Sequence, residues 1–171
     1  MRYLVLFISG VLLMSVSVLS AKENPVNFSG EWVLNADKSD LGGAPGGRRR
    51  SRMTSKMVVE QKDNKLVVEA FRTNRDGEEV SNVSTYTLDG KECTNTNNFM
   101  TSVSVAKWSE DGETLTISST ITMSRGDREF TMEATEIWSL DKDTLTIDAT
   151  RSTPRGERKS KAVYDKSEKE K

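Results

Sequence analysis

One phrase of the sequence occurs twice, and it constrains the fold more than any other feature. Residues 108–117 read WSEDGETLTI, and thirty positions later residues 138–147 read WSLDKDTLTI. Each copy ends one stretch of apolar-polar alternation and begins the next through an acidic turn. In the first copy, Asp111-Gly112 supplies the positive φ that tight hairpins need. The phrase therefore predicts two successive β-hairpins, with Leu115 and Leu145 on the same face of the sheet.

The stretch after the first turn alternates with a period of two. One of its faces carries only hydroxyl side chains, and the other is apolar except for one serine. The members of this second face are Leu115, Ile117, Ser119, Ile121 and Met123. Such a pattern is typical of a half-buried antiparallel strand. The same period recurs along the chain between turn signals at 63–64, 76–77 and 89–90, and no stretch shows a helical period.

Consecutive strands joined by short turns predict an antiparallel meander. A long meander either closes on itself or leaves exposed edges, and closure is the common solution. We therefore predict an all-β fold, an antiparallel up-and-down barrel of about eight to ten strands. A β-sandwich is the alternative.

The two ends of the chain differ in composition from its middle. Residues 1–21 have a basic start, a short apolar stretch and small residues at the end, which is typical of a secretory signal peptide. Residues 22–166 then form one domain, and residues 167–171 form a charged tail. We expect a periplasmic or secreted monomer with no transmembrane segment after signal cleavage.

The composition excludes several kinds of chemistry. The chain has no histidine and one cysteine, Cys93, so Ser-His-Asp and Cys-His nucleophile sites are impossible and a zinc site has almost no ligands. A net charge of −1 does not support nucleic-acid binding. Most carboxylates lie in turns, which makes a carboxylate-based hydrolase the most distant of three functional classes. We expect a protein that is not an enzyme and that has no cofactor or metal.

Several polar side chains fall on faces that are otherwise apolar, where burial is costly unless they are hydrogen-bonded. Either Glu136 and Arg151 pair with each other or with the backbone, or they line a wet pocket and orient the polar head of a ligand. In the second case aromatic residues form the walls of that pocket, and in the first they are ordinary core. The predicted ligand-binding residues are Tyr86, Ser119, Phe130, Glu136, Trp138 and Arg151.

A glycine-rich stretch at 41–47 leads directly into a basic cluster. Its arginines are Arg48, Arg49, Arg50 and Arg52. Loops of this length are often functional or disordered. The cluster is either a solvated, flexible loop or a clamp that contacts an anionic head group or a partner through bidentate hydrogen bonds.

The first predicted strand contains the motif Gly30-x-Trp32, within the run 28–39. This motif resembles the opening of lipocalin and calycin barrels, and the longer run is similar to small exported lipocalin-like proteins of bacteria. In lipocalins the first-strand tryptophan packs at the closed end of the barrel under an arginine. The resemblance implies that role for Arg151, with Arg158 as the alternative. It also implies that the barrel binds a small molecule.

Two functional hypotheses follow. The first is an exported, non-catalytic, lipocalin-like barrel that binds a small apolar or amphipathic molecule. The second is a protein-interaction module, such as an inhibitor or an envelope-assembly factor, with a filled core. A hollow interior of roughly 300–1,000 Å³ would favour the first.

Overall fold

The structure is a computed structural model that describes residues 25–42, 54–74, 76–97, 100–126, 128–153 and 156–167. These residues form ten β-strands and no helix. The strands are β1 (Gly30–Leu34), β2 (Lys56–Lys62), β3 (Lys65–Thr73), β4 (Glu79–Thr87), β5 (Glu92–Asn97), β6 (Met100–Trp108), β7 (Thr114–Arg125), β8 (Arg128–Asp141), β9 (Thr144–Thr153) and β10 (Gly156–Lys166). The predicted signal peptide and the arginine cluster at 48–52 lie outside the described residues.

All ten strands belong to one sheet, in the order β4-β3-β2-β1-β10-β9-β8-β7-β6-β5. Each ladder is antiparallel, and β1 joins the two halves of the meander by pairing with both β2 and β10. The edges of the sheet are therefore β4 and β5, which are consecutive in sequence. The predicted antiparallel up-and-down barrel is confirmed, in a nearly closed form, and the sandwich alternative is not what the chain adopts.

Side chains join the two edges at the seam between β4 and β5. The side-chain amide of Asn95 accepts a hydrogen bond from Thr85 N–H at 2.8 Å and donates one to Thr85 O at 3.0 Å. Asn97 Nδ2 also donates to Asn82 Oδ1 at 3.2 Å. The amide of Asn95 thus replaces one peptide group of a backbone ladder, which covers part of an otherwise open edge.

The direction of the strands gives the barrel two different ends. At the closed end lie the β2–β3, β4–β5, β6–β7 and β8–β9 turns, and residues 25–29 cross it: Val26 N–H bonds to Gly112 O at 3.0 Å, and Phe28 N–H bonds to Gln61 Oε1 at 3.0 Å. At the open end lie the β3–β4, β5–β6, β7–β8 and β9–β10 turns. Because Phe28 belongs to this crossing segment, β1 begins only at Gly30.

The two copies of the repeated phrase form hairpins of different length. In the first, Trp108 pairs with Leu115, and Ser109 N–H bonds to Thr114 O at 2.9 Å to close a longer turn. In the second, the strands continue until Asp141 pairs with Thr144. The positive φ falls at the equivalent position in both turns, 68° at Gly112 and 54° at Lys142.

One substitution between the copies accounts for the extra pairing. Glu110 of the first copy is exposed, whereas the equivalent Leu140 is half-buried against the core and pairs with Leu145. A strand continues favourably only where its inward positions can be buried. The predicted faces are confirmed, since Leu115 and Leu145 are both fully buried. The two hairpins nevertheless differ by two residues of register.

The buried side chains form one core cluster on the inward faces of the strands. Its largest fully buried members are Trp32, Phe28, Leu66, Leu115, Ile117 and Leu145. Most of these residues come from the strand segments nearest the closed end. The open end carries inward-facing side chains that are only half-buried, and these are described with the site below.

Candidate functional site

Trp32 is buried at the closed end, as the first-strand motif predicts. Its exposed fraction is 0%, and its indole N–H donates to Phe28 O at 2.9 Å. Gly30 has a φ of 155°, and a Cβ at this position would lie 3.3 Å from Lys166 Cε. The glycine of the motif therefore makes room for the lysine stem, whose Nζ lies 5.7 Å from the centroid of the Trp32 ring.

The predicted arginine over Trp32 is wrong, because a lysine takes that position. The register of β10 places Lys166 opposite Trp32 at the closed end. Arg151 and Arg158 instead pair with each other towards the open end. An ammonium group above an indole ring provides a similar cation–π contact, so this role needs a cation but not a guanidinium.

Phe28 fills the closed end between two tryptophans. Its ring stacks on Trp108 with centroids 5.7 Å apart and an interplanar angle of 1°, and it meets Trp138 edge-on at 5.7 Å and 76°. Both are favourable aromatic geometries. Trp108 and Trp138 therefore lie at the same end of the barrel, as the repeat predicts.

Glu136, Trp138 and Arg151 come together in the barrel interior. The indole N–H of Trp138 donates to Glu136 Oε2 at 3.3 Å, and Arg151 Nη2 lies 3.7 Å from Glu136 Oε1. The predicted pairing of Glu136 with Arg151 is thus present. The Glu136 side chain is 29% exposed and that of Arg151 is 48% exposed, so the carboxylate is the more enclosed of the two charges.

The charge of this carboxylate acts on two tyrosines of other strands. Burial raises the pKa of Tyr86 to about 12, and the negative charge of Glu136 contributes to the shift. Burial and the same carboxylate also raise the pKa of Tyr164, whose hydroxyl donates to Thr54 O at 3.4 Å. Both phenols are therefore neutral at physiological pH and available for hydrogen bonding.

A pair of serines continues the polar region towards the open end. Ser119 Oγ lies 2.8 Å from Ser104 Oγ, and Ser104 is almost fully buried. The thiol of the half-buried Cys93 donates to Ser104 O at 3.3 Å. We call Tyr86, Ser104, Ser119 and Glu136 the polar floor.

The inward faces of β6, β7 and β8 become apolar beyond the polar floor. We call this cluster the apolar lip; it consists of Met100, Ile121, Met123, Phe130 and Met132. Met123 pairs with both Met100 and Phe130, and Ile121 pairs with Met132. Although these side chains are on the inward face, four are only half-buried and Phe130 is 48% exposed.

The structure thus groups some of the predicted site residues and separates others. Tyr86, Glu136, Trp138 and Arg151 share one interior region, and Ser119 lies beside it. Phe130 belongs to the lip, near the β7–β8 turn, rather than to the walls of that region. The four predicted contact residues Arg48, Arg49, Arg50 and Arg52 are outside the described part of the chain.

Sequence analysis did not single out Ser104 or the methionines of the lip as site residues. The available signal was the period of two. In β6 it puts Ser102 and Ser104 on the same face as Ala106, and in β7 and β8 it extends the inward face to the strand ends. Polar or flexible apolar residues at inward positions far from the closed end mark the open half of the interior.

A separate groove lies on the outer surface of β5 to β8, with a volume of about 360 Å³. Its walls include Val103, Val105, Glu92 and Glu133, and its floor is formed by the short side chains of Ser118 and Thr120. These six side chains are at outward positions of their strands, and the groove also touches Ser119 and Ala134 of the inward face. Most of its lining therefore belongs to the outer face of the sheet.

The described ranges contain neither a candidate metal centre nor a candidate membrane-spanning helix. No group of histidine, cysteine and carboxylate side chains there could hold a metal ion. Among the same residues, no helix has the length and apolarity needed to cross a membrane.

The fold belongs to a recognisable class, the nearly closed antiparallel barrels with an up-and-down topology, and it is consistent with the lipocalin-like calycin fold. Among solved structures, a REP1-NXSQ fatty acid transporter superposes with a TM-score of 0.55 at 11% identity, covering 83% of this chain and 97% of that one. Zebrafish ileal bile acid-binding protein, complexed with cholic acid, gives 0.50 at 12% identity, covering 82% and 98%.

A third similar structure is a secretory abundant heat soluble protein from Ramazzottius varieornatus. It gives a TM-score of 0.53 at 13% identity and covers 82% of this chain and 95% of that one. No family model and no curated protein sequence matches the chain. At these identities, the resemblance establishes the fold and not the function.

Proposed function

We propose that this chain is an exported, non-catalytic barrel that binds a small apolar or amphipathic molecule in the open half of its interior. One observation carries the proposal: the inward-facing side chains of the apolar lip remain accessible. A filled barrel would bury them, because exposed clusters of large apolar side chains are unfavourable in water. Methionines suit such a site, since their flexible side chains adapt to ligands of different shape.

The functions named for the structural neighbours, fatty-acid transport and bile-acid binding, agree with this proposal. The whole sequence has no histidine, which agrees with the proposal that the barrel is non-catalytic. The ligand would place apolar atoms against Met123, Phe130 and Met132, and its polar atoms would reach Glu136 and Arg151. Convergent polar groups within an apolar pocket are the usual means by which such sites orient a ligand.

The experiment is a binding titration with phenylnaphthylamine, a neutral apolar dye that fluoresces on leaving water. We expect saturable fluorescence with the wild type and at least about tenfold weaker binding with Ile121→Glu, since a charge in an apolar site is strongly unfavourable. Thr122→Glu is the matched control, because Thr122 is the next residue of β7 and faces outward. Absence of saturable binding to the wild type, or equal binding by the two variants, would contradict the proposal.

A second candidate function, a protein-interaction module, is favoured by the outer groove. Val103 is 37% exposed there, beside Val105 and between two glutamates. The Val103→Lys variant should lose the binding of a partner that uses this surface, whereas the Ile121→Glu variant should retain it. Native mass spectrometry of protein purified from its own host distinguishes the two functions, because it detects either a retained small molecule or a retained protein.

A further inference from the structure

We propose that the barrel takes its ligand head first and that the head group is a cation, such as an alkylammonium. This inference rests on the proposed function and adds the orientation and the chemical class of the ligand. It derives from the order of polar and apolar side chains along the interior and from the sign of the enclosed charge.

On β6, β7 and β8 the interior is polar further inside and apolar at its entrance. The polar floor contains Glu136 and the hydrogen-bonded pair Ser104–Ser119, with oxygen atoms 2.8 Å apart. Between this floor and solvent lies the apolar lip. An amphiphile that entered tail first would place its alkyl chain on the serines and the carboxylate, and would leave its polar head against methionines. Entry head first matches each part of the ligand to a like surface.

The enclosed charge at the floor is negative. Glu136 accepts a hydrogen bond from Trp138, and its carboxylate acts electrostatically on the phenols of Tyr86 and Tyr164. Its cationic partner is Arg151, whose side chain is more exposed and whose Nη2 lies 3.7 Å from Glu136 Oε1. Half-exposed pairs of this kind contribute little, so the Arg151 side chain can turn towards the solvent when a ligand cation takes its place. An anionic head would instead approach an enclosed carboxylate.

The aromatic residues around Glu136 add to the preference for a cation. The indole N–H of Trp138 donates to the carboxylate, and the charge of Glu136 helps to raise the pKa of Tyr86 on β4 and of Tyr164 on β10. Aromatic rings attract alkylated ammonium groups through cation–π interactions, and indole does so most strongly. Trp138 and Tyr164 are almost fully buried, so Glu136 offers an ammonium group the counter-charge and the half-buried Tyr86 offers a surface for its methyl groups.

One arrangement in the structure favours the opposite sign and defines the rival outcome. Arg151 and Arg158 are cross-strand partners on inward positions near the open end. Like charges at paired positions are unfavourable, and an anion between them would relieve the repulsion. Such a ligand would be held at the mouth by its head and would pair with Arg151 in place of Glu136.

The test uses three amphiphiles that share one decyl chain: decyltrimethylammonium, decanol and decanoate. Calorimetric titration of the intact mature protein, below micelle-forming concentrations, ranks their affinities. We expect the ammonium compound to bind about tenfold more tightly than decanol, with decanoate weakest. Tightest binding by decanoate would overturn the inference and leave the proposed function standing. Binding of none of the three would overturn both.

Variants then locate the head group. Glu136→Gln should weaken decyltrimethylammonium about tenfold and leave decanol unchanged, whereas Glu133→Gln, on the outward face of the same strand, should change neither. Arg151→Met should tighten the binding of the ammonium compound by roughly two- to fivefold, because the substitution removes the competing cation. Weaker ammonium binding in Arg151→Met, or unchanged binding in Glu136→Gln, contradicts the proposed site. The wild-type ranking remains decisive if a variant does not fold.

Discussion

At the scale of single residues, Trp32 shows how a short motif acquires its meaning from packing. Its indole is fully buried, its N–H is satisfied by Phe28 O, and Lys166 covers one face of the ring. Gly30 belongs to the same arrangement because a side chain there would crowd the lysine stem. Each contact lies within the closed end, so the motif stabilises that end of the barrel and takes no direct part in the open half.

Replacement of this tryptophan should be among the most damaging changes in the protein. We expect Trp32→Ala to lower the free energy of unfolding by about 3–5 kcal/mol, the usual range for a well-packed large aromatic side chain. Val33→Ala is the control, since Val33 is the next residue of β1 and is 45% exposed; its cost should be below about 1 kcal/mol. Urea denaturation gives both values, and similar losses would mean that the outer face of β1 is also covered.

At the scale of elements, the repeated phrase produces two hairpins with the same faces and different registers. The apolar residue at position 140 allows β8 and β9 to pair further than β6 and β7, where Glu110 occupies the equivalent position. The registers of the two hairpins differ by two residues, so each side chain stays on the same face of the sheet. A shift of one residue would have exposed the whole apolar face.

The two faces of these hairpins should respond differently to substitution. Leu115→Asn or Leu145→Asn should cost about 3–5 kcal/mol, because each places a polar group at a fully buried position. Thr114→Lys and Thr144→Lys, on the partly exposed outer face, should stay within about 0.5 kcal/mol. The midpoints of urea unfolding for these four variants measure the contrast. Equal damage on both faces would require a second layer outside the barrel.

At the seam between β4 and β5, the side chain of Asn95 takes the place of backbone pairing. Asn95→Ala removes both hydrogen bonds to Thr85, so we expect the Thr85 amide to exchange with solvent about five- to tenfold faster. Amides of the β2–β3 ladder should keep their protection. Thr94→Ala, on the exposed face of the same strand, should have no effect. Unchanged exchange at Thr85 in Asn95→Ala would show that the seam is held by other contacts.

At the scale of the whole molecule, the barrel is tightly packed at one end and accessible at the other. Ile117 and Met123 are on the same face of β7, but Ile117 is 1% exposed and Met123 is half-buried at the lip. This gradient of burial connects the fold to the proposed function. It leaves an apolar surface that a ligand can cover without disturbing the core.

This gradient predicts unequal costs for two truncations on one strand. Ile117→Ala should lower the free energy of unfolding by about 2–5 kcal/mol, and Met123→Ala by less than about 1 kcal/mol. Thermal and urea unfolding provide the comparison. Equal losses would indicate a barrel filled along its whole length, which is the arrangement expected for the interaction module.

The sequence by itself determined the elements, the faces and the closed class of fold. Those properties depend on the local period of two and on turn residues such as Asp63-Asn64 and Asp111-Gly112, which are readable within a few positions. The burial of Trp32 was also predictable from the resemblance of its motif to lipocalin barrels, and the pairing of Glu136 with Arg151 was one of the two alternatives that their shared face left open.

Only the tertiary structure decided which residues from distant strands meet. Lys166 rather than an arginine covers Trp32 because the β1–β10 register places it there, and Tyr86 faces Glu136 because the barrel closes. The hairpin registers, the seam at Asn95 and the accessible lip depend likewise on how the strands tilt and pair around the barrel. Alternation specifies the side of a strand on which a residue lies, but the long-range register specifies its neighbours.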